Sequence, residues 1–233
     1  MSGILYGVGV GPGDSELITL KALKLIKSAE IIAYPKLEGS ESFARTIIAG
    51  FIEFPKKEIV IDIPMSEQRL PAQKAYDIAA ERISTYLEAD KNVVVLCEGD
   101  PFFYGSFMYL HSRLSGKYET EVIPGVSSLT TCAAVANRPL AARNEVLAIL
   151  PGPLSEEELT RRLSDTNSAA IMKVGRHLKK IKRVINDLGL TRFSYYVERA
   201  SLKEQKVLTL AEAPEIAPYF SMILVTKGED PWL

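Results

Sequence analysis

Cysteine, histidine and tryptophan are scarce: the 233-residue chain holds two, two and one of them. Two cysteines cannot build a disulfide framework or a four-thiolate metal centre. Cys97 closes an apolar run and Cys132 sits in Leu129-Thr130-Thr131-Cys132-Ala133-Ala134-Val135, so each reads as a small core hydrophobe in a reducing, cytoplasmic protein. His111 and His177 fall on expected helices with no acidic or cysteine partner at triad or metal-ligand spacing, and no protein-bound metal is expected. An excess of charge of one sign is missing too. Lys plus Arg number 28 against 29 for Asp plus Glu, and a net charge of -1 provides no field to gather nucleic acid or an anionic membrane. The start of the chain lacks a basic segment followed by a long apolar core, and no apolar run approaches the ~20 residues that span a bilayer, so a soluble protein without nucleic-acid or membrane partners is expected. Neither a fixed-period repeat nor a low-complexity segment is present, which excludes solenoids and disordered tails.

What is there alternates between short apolar runs and helical stripes. Ile4 to Val10 is a strand-like run; Ile18, Ala22, Leu25, Ile26 and Ala29 then recur at helical spacing, with Asp14 or Ser15 available as the cap. Ile31 to Tyr34 resumes a strand that is expected to stop at Pro35. The pattern repeats with a strand from Ile59 to Ile63, a helix bearing Tyr76, Ala80, Ile83 and Leu87, and the buried-strand run Val93-Val94-Val95-Leu96-Cys97, which predicts parallel pairing. A helix through Phe107, Leu110 and Leu114 and a strand at Glu121 to Ile123 lead to Pro124-Gly125-Val126-Ser127-Ser128, where a domain junction is expected. Beyond it, strands are expected over 145–150, 169–174 and 193–197, with Leu178, Ile181, Ile185 and Leu188 striping a helix between the last two. The runs 205–210 and 219–226 are joined by a link too short for a helical crossover, so antiparallel neighbours in a mixed sheet are expected. The fold class is α/β, in two domains.

Two loops follow strands where an open α/β sheet keeps its ligand. Gly7-Val8-Gly9-Val10-Gly11-Pro12-Gly13-Asp14 fails as a dinucleotide fingerprint: the third glycine position holds Pro12 or Asp14, depending on the start, and Pro12 lacks an amide proton for a pyrophosphate. Strand two ends in Ala33-Tyr34-Pro35 with no acidic residue for a ribose, and no Gly-Lys-Ser/Thr triplet marks a phosphate loop. On its own the loop is either an ordinary tight turn or a ligand loop. The second loop, Glu98-Gly99-Asp100-Pro101-Phe102-Phe103-Tyr104-Gly105, favours a ligand. Asp100 can fold back onto turn amides or accept hydrogen bonds from a ligand, and three adjacent aromatics need either a flat or cationic ligand or a covering domain.

These loops, together with Glu16-Leu17-Ile18-Thr19-Leu20-Lys21-Ala22 and Pro124-Gly125-Val126-Ser127-Ser128, closely resemble the tetrapyrrole methylases in order and spacing along the whole chain. Within that family, Asp100-Pro101 leading to Ser106-Phe107-Met108-Tyr109-Leu110, the Ala33-Tyr34-Pro35 strand end and Tyr219-Phe220-Ser221 look most like the C20-methyltransferases of cobalamin synthesis, which act on precorrin-2 or cobalt-factor II. The resemblance implies two α/β domains, 1–124 and 125–233, with a mostly parallel N-terminal sheet, a mixed C-terminal sheet and a cleft between them. S-adenosylmethionine would occupy the cleft, completed by the second domain, with the anionic tetrapyrrole in an adjoining trough of the first, in a homodimer. Carried over residue by residue, the donor contacts are Pro12, Glu98, Gly99, Asp100, Phe103, Ser127, Ser128, Met172, Ala200 and Met222. Without the resemblance, Met172 is a gap-filling core residue, Ala200 carries no signal, and Ser127 and Ser128 are helix caps.

A sulfonium methyl is already activated, so its displacement by an electron-rich carbon needs alignment and exclusion of water rather than a covalent nucleophile. That fits the missing triad. Glu98, Tyr104 and Glu198 are candidates for a base, and none is singled out. A substrate rich in carboxylates calls for cations: Lys21, Lys36, Arg69, Arg138, Arg143 and Arg176 lie near expected loops, and Lys36, Arg69, Arg176 and Tyr104 are taken as the substrate set. The run Lys179-Lys180 with Lys182-Arg183 reads as the solvated face of its helix. The near alternatives are other methylases of this fold, acting on uroporphyrinogen III, another precorrin carbon or a diphthine precursor. A nicotinamide oxidoreductase and a non-catalytic binding module are the more distant ones.

Overall fold

The structure, a computed structural model, describes residues 2–52, 56–65 and 69–228. The chain divides into two compact units, Met1–Ser127 and Ser128–Leu233. The junction thus falls after Ser127 rather than after Pro124, because Gly125 is tied by hydrogen bond to Asp100 of the first unit.

The first unit runs β1 (Leu5–Gly9), α1 (Leu20–Ser28), β2 (Ile31–Leu37), α2 (Phe43–Ile47), β3 (Lys57–Ile63), α3 (Arg69–Glu88), β4 (Val93–Cys97), α4 (Phe107–Leu114) and β5 (Thr120–Ile123). Its five strands pair in parallel in the order β3-β2-β4-β1-β5. The period of two in β4 decides both faces. Val93, Val95 and Cys97 join Tyr76, Ile83 and Leu87 of α3 and Phe107 and Leu110 of α4 in one core, while Val94 and Leu96 join Ala22 and Ile26 of α1 and Ala44 and Ile47 of α2 in another. A central parallel strand covered on both sides has no polar face, which is why the run is continuously apolar. From β1 the chain turns toward β2, and from β4 toward β5. Two neighbouring strands therefore send their loops in opposite directions over opposite faces, the topological switch point at which α/β sheets open a crevice.

Two local expectations are corrected. Asp14 does not cap α1: its Oδ1 accepts from the Glu16 amide at 2.9 Å, closing a 3₁₀ turn over Ser15–Leu17, and Thr19 caps α1 instead. Nor does Pro35 end β2, which pairs with β3 as far as Leu37. Pairing with β4 stops at Ala33, and the Pro35 carbonyl accepts from Ser42 Oγ at 2.7 Å. Since N–H and C=O of a strand residue point to the same side, the missing amide proton falls on the open side of β2, where proline is tolerated.

The second unit runs α5 (Ser128–Val135), β6 (Leu147–Pro151), α6 (Glu156–Ser164), β7 (Ser168–Met172), α7 (Leu178–Asp187), β8 (Ser194–Glu198), β9 (Lys206–Thr209) and β10 (Ser221–Thr226). The order is β6-β7-β10-β8-β9, with β6 and β7 parallel and every other pair antiparallel. Leu178, Ile181, Val184 and Ile185 of α7 and Leu159 and Leu163 of α6 pack on Ile171, Tyr196, Ile223 and Val225. Each such burial contributes roughly 1.5–3 kcal/mol, more than any propensity difference along the helix.

β9 and β10 are not neighbours, contrary to expectation: β8 lies between them and is antiparallel to both. The link over 210–220 needs no helix to make this skip. At about 3.3 Å per residue it has ample reach to return along one strand and step across two spacings of about 4.8 Å. Leu210, Ala213 and Ala217 bury themselves in the core on the way.

Candidate functional site

At the switch point of the first unit, three loops are fastened together. The Gly11 amide donates to the Gly99 carbonyl at 3.3 Å, and the Gly99 amide donates to the Gly11 carbonyl at 2.8 Å. Asp100 binds the third loop: its Oδ2 accepts from the Gly125 amide at 3.1 Å, and its Oδ1 accepts from the Phe102 and Phe103 amides at 2.9 and 3.1 Å. The backbones touch. A Cβ on Gly125 would stand 2.0 Å from the Gly99 oxygen and 2.9 Å from Gly9 Cα, and one on Gly9 would stand 2.6 Å from the Gly99 oxygen. Gly99 itself has φ +62°, a conformation that glycine adopts without strain.

The polar groups at this rim are therefore mostly taken. The amides of Val10, Gly11, Gly99, Phe102, Phe103 and Gly125 all have intramolecular acceptors, and Pro12 has no amide proton. A phosphate needs several such amides pointing at it. Glu98 differs from its neighbours. Half-buried immediately after β4, it makes no hydrogen bond or ion pair among the described residues, and burial alone pushes its carboxyl up from the ordinary glutamate value. Asp100, by contrast, carries out the turn role rather than presenting a free carboxylate.

The three aromatics part company. Phe102, 49 % exposed, leans on α4, edge-on to His111 at 5.0 Å and 6.1 Å from Phe107. Phe103 is half-buried and meets Tyr104 edge-on at 5.3 Å. Tyr104 is 45 % exposed and holds a left-handed backbone, φ 56°, which a residue with a Cβ adopts only under constraint. Ser127 occupies the position just before α5, and Ser128 is the first residue of that helix.

In the second unit, antiparallel register gathers the remaining donor candidates at one end of the sheet. Met222 pairs with Val197 near the carboxyl end of β8, and the Ile223–Ile171 pair sets it one step from Met172 at the carboxyl end of β7. Met172 is half-buried at its strand end, outside the apolar cluster that takes Ala169, Ile171 and Val174, so it is not the gap-filling core residue that its type alone predicts. Its carbonyl accepts from the Gly152 amide at 2.7 Å. Ala200 lies between Arg199 and Ser201, both left-handed at φ 49° and 66°. Glu198 holds that turn. Its side chain is 5 % exposed and accepts from Tyr196 Oη at 2.8 Å and Arg199 Nη1 at 3.0 Å, with Lys206 Nζ at 3.6 Å.

Most of the cations expected to await carboxylates have partners. Lys21 pairs with Glu121, Lys36 with Asp62 at 3.1 Å, and Arg138 stacks on the Tyr195 ring at 4.3 Å while donating to its hydroxyl. Arg176 is exposed in the 3₁₀ turn Gly175–His177, so His177 precedes α7 rather than riding on it. Arg69 opens α3, and its side chain lies outside the described residues. Lys180 and Lys182 reach the carbonyls of Leu154 and Ala213, so the basic face of α7 also ties down neighbouring loops. Among the described residues no group of three His, Cys, Asp or Glu side chains could hold a metal ion, and no helix is long and apolar enough to cross a membrane.

Residues 4–214 match the family of Tetrapyrrole (Corrin/Porphyrin) Methylases. The chain is a member of the tetrapyrrole methylase family. Among the similar proteins, a precorrin-2 C(20)-methyltransferase of Sinorhizobium sp is 40 % identical to this methylase over 99 % of both chains. A cobalt-precorrin-2 C(20)-methyltransferase of Salmonella typhimurium is 29 % identical over 97 % of this chain and 98 % of its own length. A solved uroporphyrin III C-methyltransferase of Thermus thermophilus superimposes with a TM-score of 0.69 at 26 % identity, covering 96 % of this chain and 97 % of the other. A cobalt precorrin-4 methyltransferase superimposes at 0.72 with 24 % identity, covering 96 % and 94 %, and shares the fold.

Proposed function

We propose that this methylase transfers the methyl group of S-adenosylmethionine to C20 of precorrin-2 or cobalt-factor II in cobalamin biosynthesis. One observation carries the choice of donor: at the switch point six loop amides are already occupied, and the Glu98 carboxylate makes no hydrogen bond or ion pair among the described residues. Such a rim repels a pyrophosphate and suits a cationic sulfonium with an amine and ribose hydroxyls. It disfavours the nicotinamide reading, while the full-length likeness to C20-methyltransferases supports the acceptor and the carbon.

The donor contacts assigned in this reading are Pro12, Glu98, Gly99, Asp100, Phe103, Ser127, Ser128, Met172, Ala200 and Met222, with Asp100 acting through the turn that it fixes. Lys36, Arg69, Tyr104 and Arg176 are assigned to the acceptor. The enzyme is proposed to work in the cytoplasm as a homodimer, without a metal of its own, any cobalt travelling with the macrocycle. The chemistry demands alignment: the acceptor carbon within about 3 Å of the methyl, in line with the breaking C–S bond, and shielded from water.

Incubating the purified chain with methyl-labelled donor and precorrin-2, then locating the label by mass and NMR, tests the reading. Label at C20 supports it. Label at another ring carbon, or on uroporphyrinogen III in preference, moves the chain to a neighbouring methylase. Binding of NAD rather than S-adenosylhomocysteine in calorimetry refutes the donor.

A further inference from the structure

The C20 methylation proposed above involves two bond exchanges. The C20–CH₃ bond forms as the S–CH₃ bond breaks and its electron pair leaves on sulfur. The C20–H bond then breaks, its electron pair returns to the macrocycle, and the proton needs an acceptor. We propose that Glu98 is the residue that accepts this proton. The inference rests on the methyltransferase reading.

Four observations single Glu98 out. It sits between Cys97, the last residue of β4, and Gly99, whose amide and carbonyl are both bridged to Gly11, so its backbone is anchored on each side. A proton acceptor needs such a rigid mounting, because transfer requires hydrogen-bond reach. It is also uncommitted. Asp100 holds three amides, Asp14 closes a turn, and Glu121 pairs with Lys21, whereas Glu98 makes no hydrogen bond or ion pair among the described residues. The other carboxylate weighed for this role, Glu198, is buried beneath Tyr196, Arg199 and Lys206. Its carboxylate is already engaged by those three groups. Finally, burial lifts the Glu98 carboxyl toward the range in which a base works, and no charged side chain contributes to that shift. The titratable neighbour that feels Glu98 is the Cys97 thiol, itself raised chiefly by burial in the core on the α3 and α4 face.

The test uses the whole chain carrying Glu98→Gln or Glu98→Asp. Because Glu98 is also assigned as a donor contact, rates are compared at S-adenosylmethionine concentrations that saturate each form, as fixed by calorimetry. The E98Q kcat for C20 methylation should fall on the order of 100-fold or more, with KM for the tetrapyrrole nearly unchanged. The parent kcat should decline as pH drops and the carboxylate protonates; E98Q should lose that acid limb, and E98D should keep a shifted one with intermediate rate. Wild-type kcat in E98Q overturns the proposal. So does an E98Q that keeps the parent's acid limb at saturating donor and loses only affinity for the sulfonium, since Glu98 would then be a counter-ion alone. If E98Q does not fold, an acid limb in E98D identical to the parent's overturns it equally. A parent chain that neither binds the thioether nor methylates refutes the methyltransferase reading instead.

Discussion

Replacing Asp100 by Asn changes one atom and should loosen the whole rim. The carboxylate offers two acceptor oxygens, one serving the Phe102 and Phe103 amides and the other serving Gly125. A carboxamide has one acceptor and one donor. If its oxygen faces the two phenylalanine amides, its NH₂ group confronts the Gly125 N–H; if it flips, two amides lose their acceptor. In the better orientation, one charge-assisted bond is lost, about 1.5–3 kcal/mol, and a half-buried donor is left facing another donor. The two remaining bonds also weaken because their acceptor is neutral. An expected loss of about 2–4 kcal/mol is a large part of the 5–15 kcal/mol that holds typical proteins folded. Urea denaturation followed by circular dichroism should show the transition of D100N at clearly lower denaturant with a similar slope. The affinity for S-adenosylhomocysteine should fall at least ten-fold, because the loops bridged through Asp100 no longer hold one arrangement. A D100N chain that unfolds and binds like the parent would show that the three loops keep their positions without the carboxylate, and the reasoning would fail.

Gly125→Ala places a methyl 2.0 Å from the Gly99 oxygen, and as backbone lies on both sides the strain should cost about 1–3 kcal/mol or more in urea denaturation and weaken donor binding in calorimetry; wild-type values for both would contradict the close approach. Tyr196→Phe removes one of the donors to buried Glu198 and should destabilise the chain by about 1–2 kcal/mol in the same assay; no change would mean the carboxylate is held by Arg199 and Lys206 alone. Alkaline stability should follow the buried tyrosines. Burial first, then hydrogen bonding to Glu58, raises Tyr34 to about 12, and burial raises Tyr76 to about 12, while an unfolded tyrosine ionises near 10. The unfolded chain therefore sheds its protons first, so these contributions are complete below pH about 10 and lost as pH rises to about 12. A Tyr34→Phe, Tyr76→Phe chain should lose less stability over that window, and an identical pH profile would argue against the shifts.

How far the sequence could be read depended on the range of the forces involved. Period-two and helical spacing are local properties, and they located the apolar strands, the α3 and α7 stripes and the parallel first sheet because burial dominates there. Caps at the start of α1 were less legible, since Asp14, Ser15 and Thr19 are all chemically able and only the 3₁₀ turn over Ser15–Leu17 chooses among them. The position of β10 between β7 and β8 was hidden for a different reason. It depends on which partners a strand finds across the fold, and a link that opens with a 3₁₀ turn over Leu210–Glu212 and continues irregularly leaves that choice open. At the candidate site, the glycines advertised close approach, yet nothing local told that Asp100 would turn inward while Glu98, two residues before it, would not. The dipeptide Pro124-Gly125 was the one available signal for the third loop, and its meaning needed the Gly9 and Gly99 contacts.

That difference between two neighbouring carboxylates accounts for the chemistry of the rim. Nucleotide-binding α/β proteins leave loop amides unpaired at the switch point, and the ligand's phosphates complete them. Here the Gly11–Gly99 bridge and the Cys97 carbonyl take up the amides of Val10, Gly11 and Gly99, and Asp100 takes up those of Phe102, Phe103 and Gly125. With those six donors satisfied internally, the rim has less to offer an anion and retains a carboxylate in Glu98. In the proposed reading such a surface suits a positively charged sulfur compound, and the same carboxylate takes the proton that the reaction releases. In that reading donor choice and proton removal trace to a single cause: glycine at positions 9, 99 and 125 lets the loops close on one another, leaving Glu98 with no hydrogen bond or ion pair among the described residues.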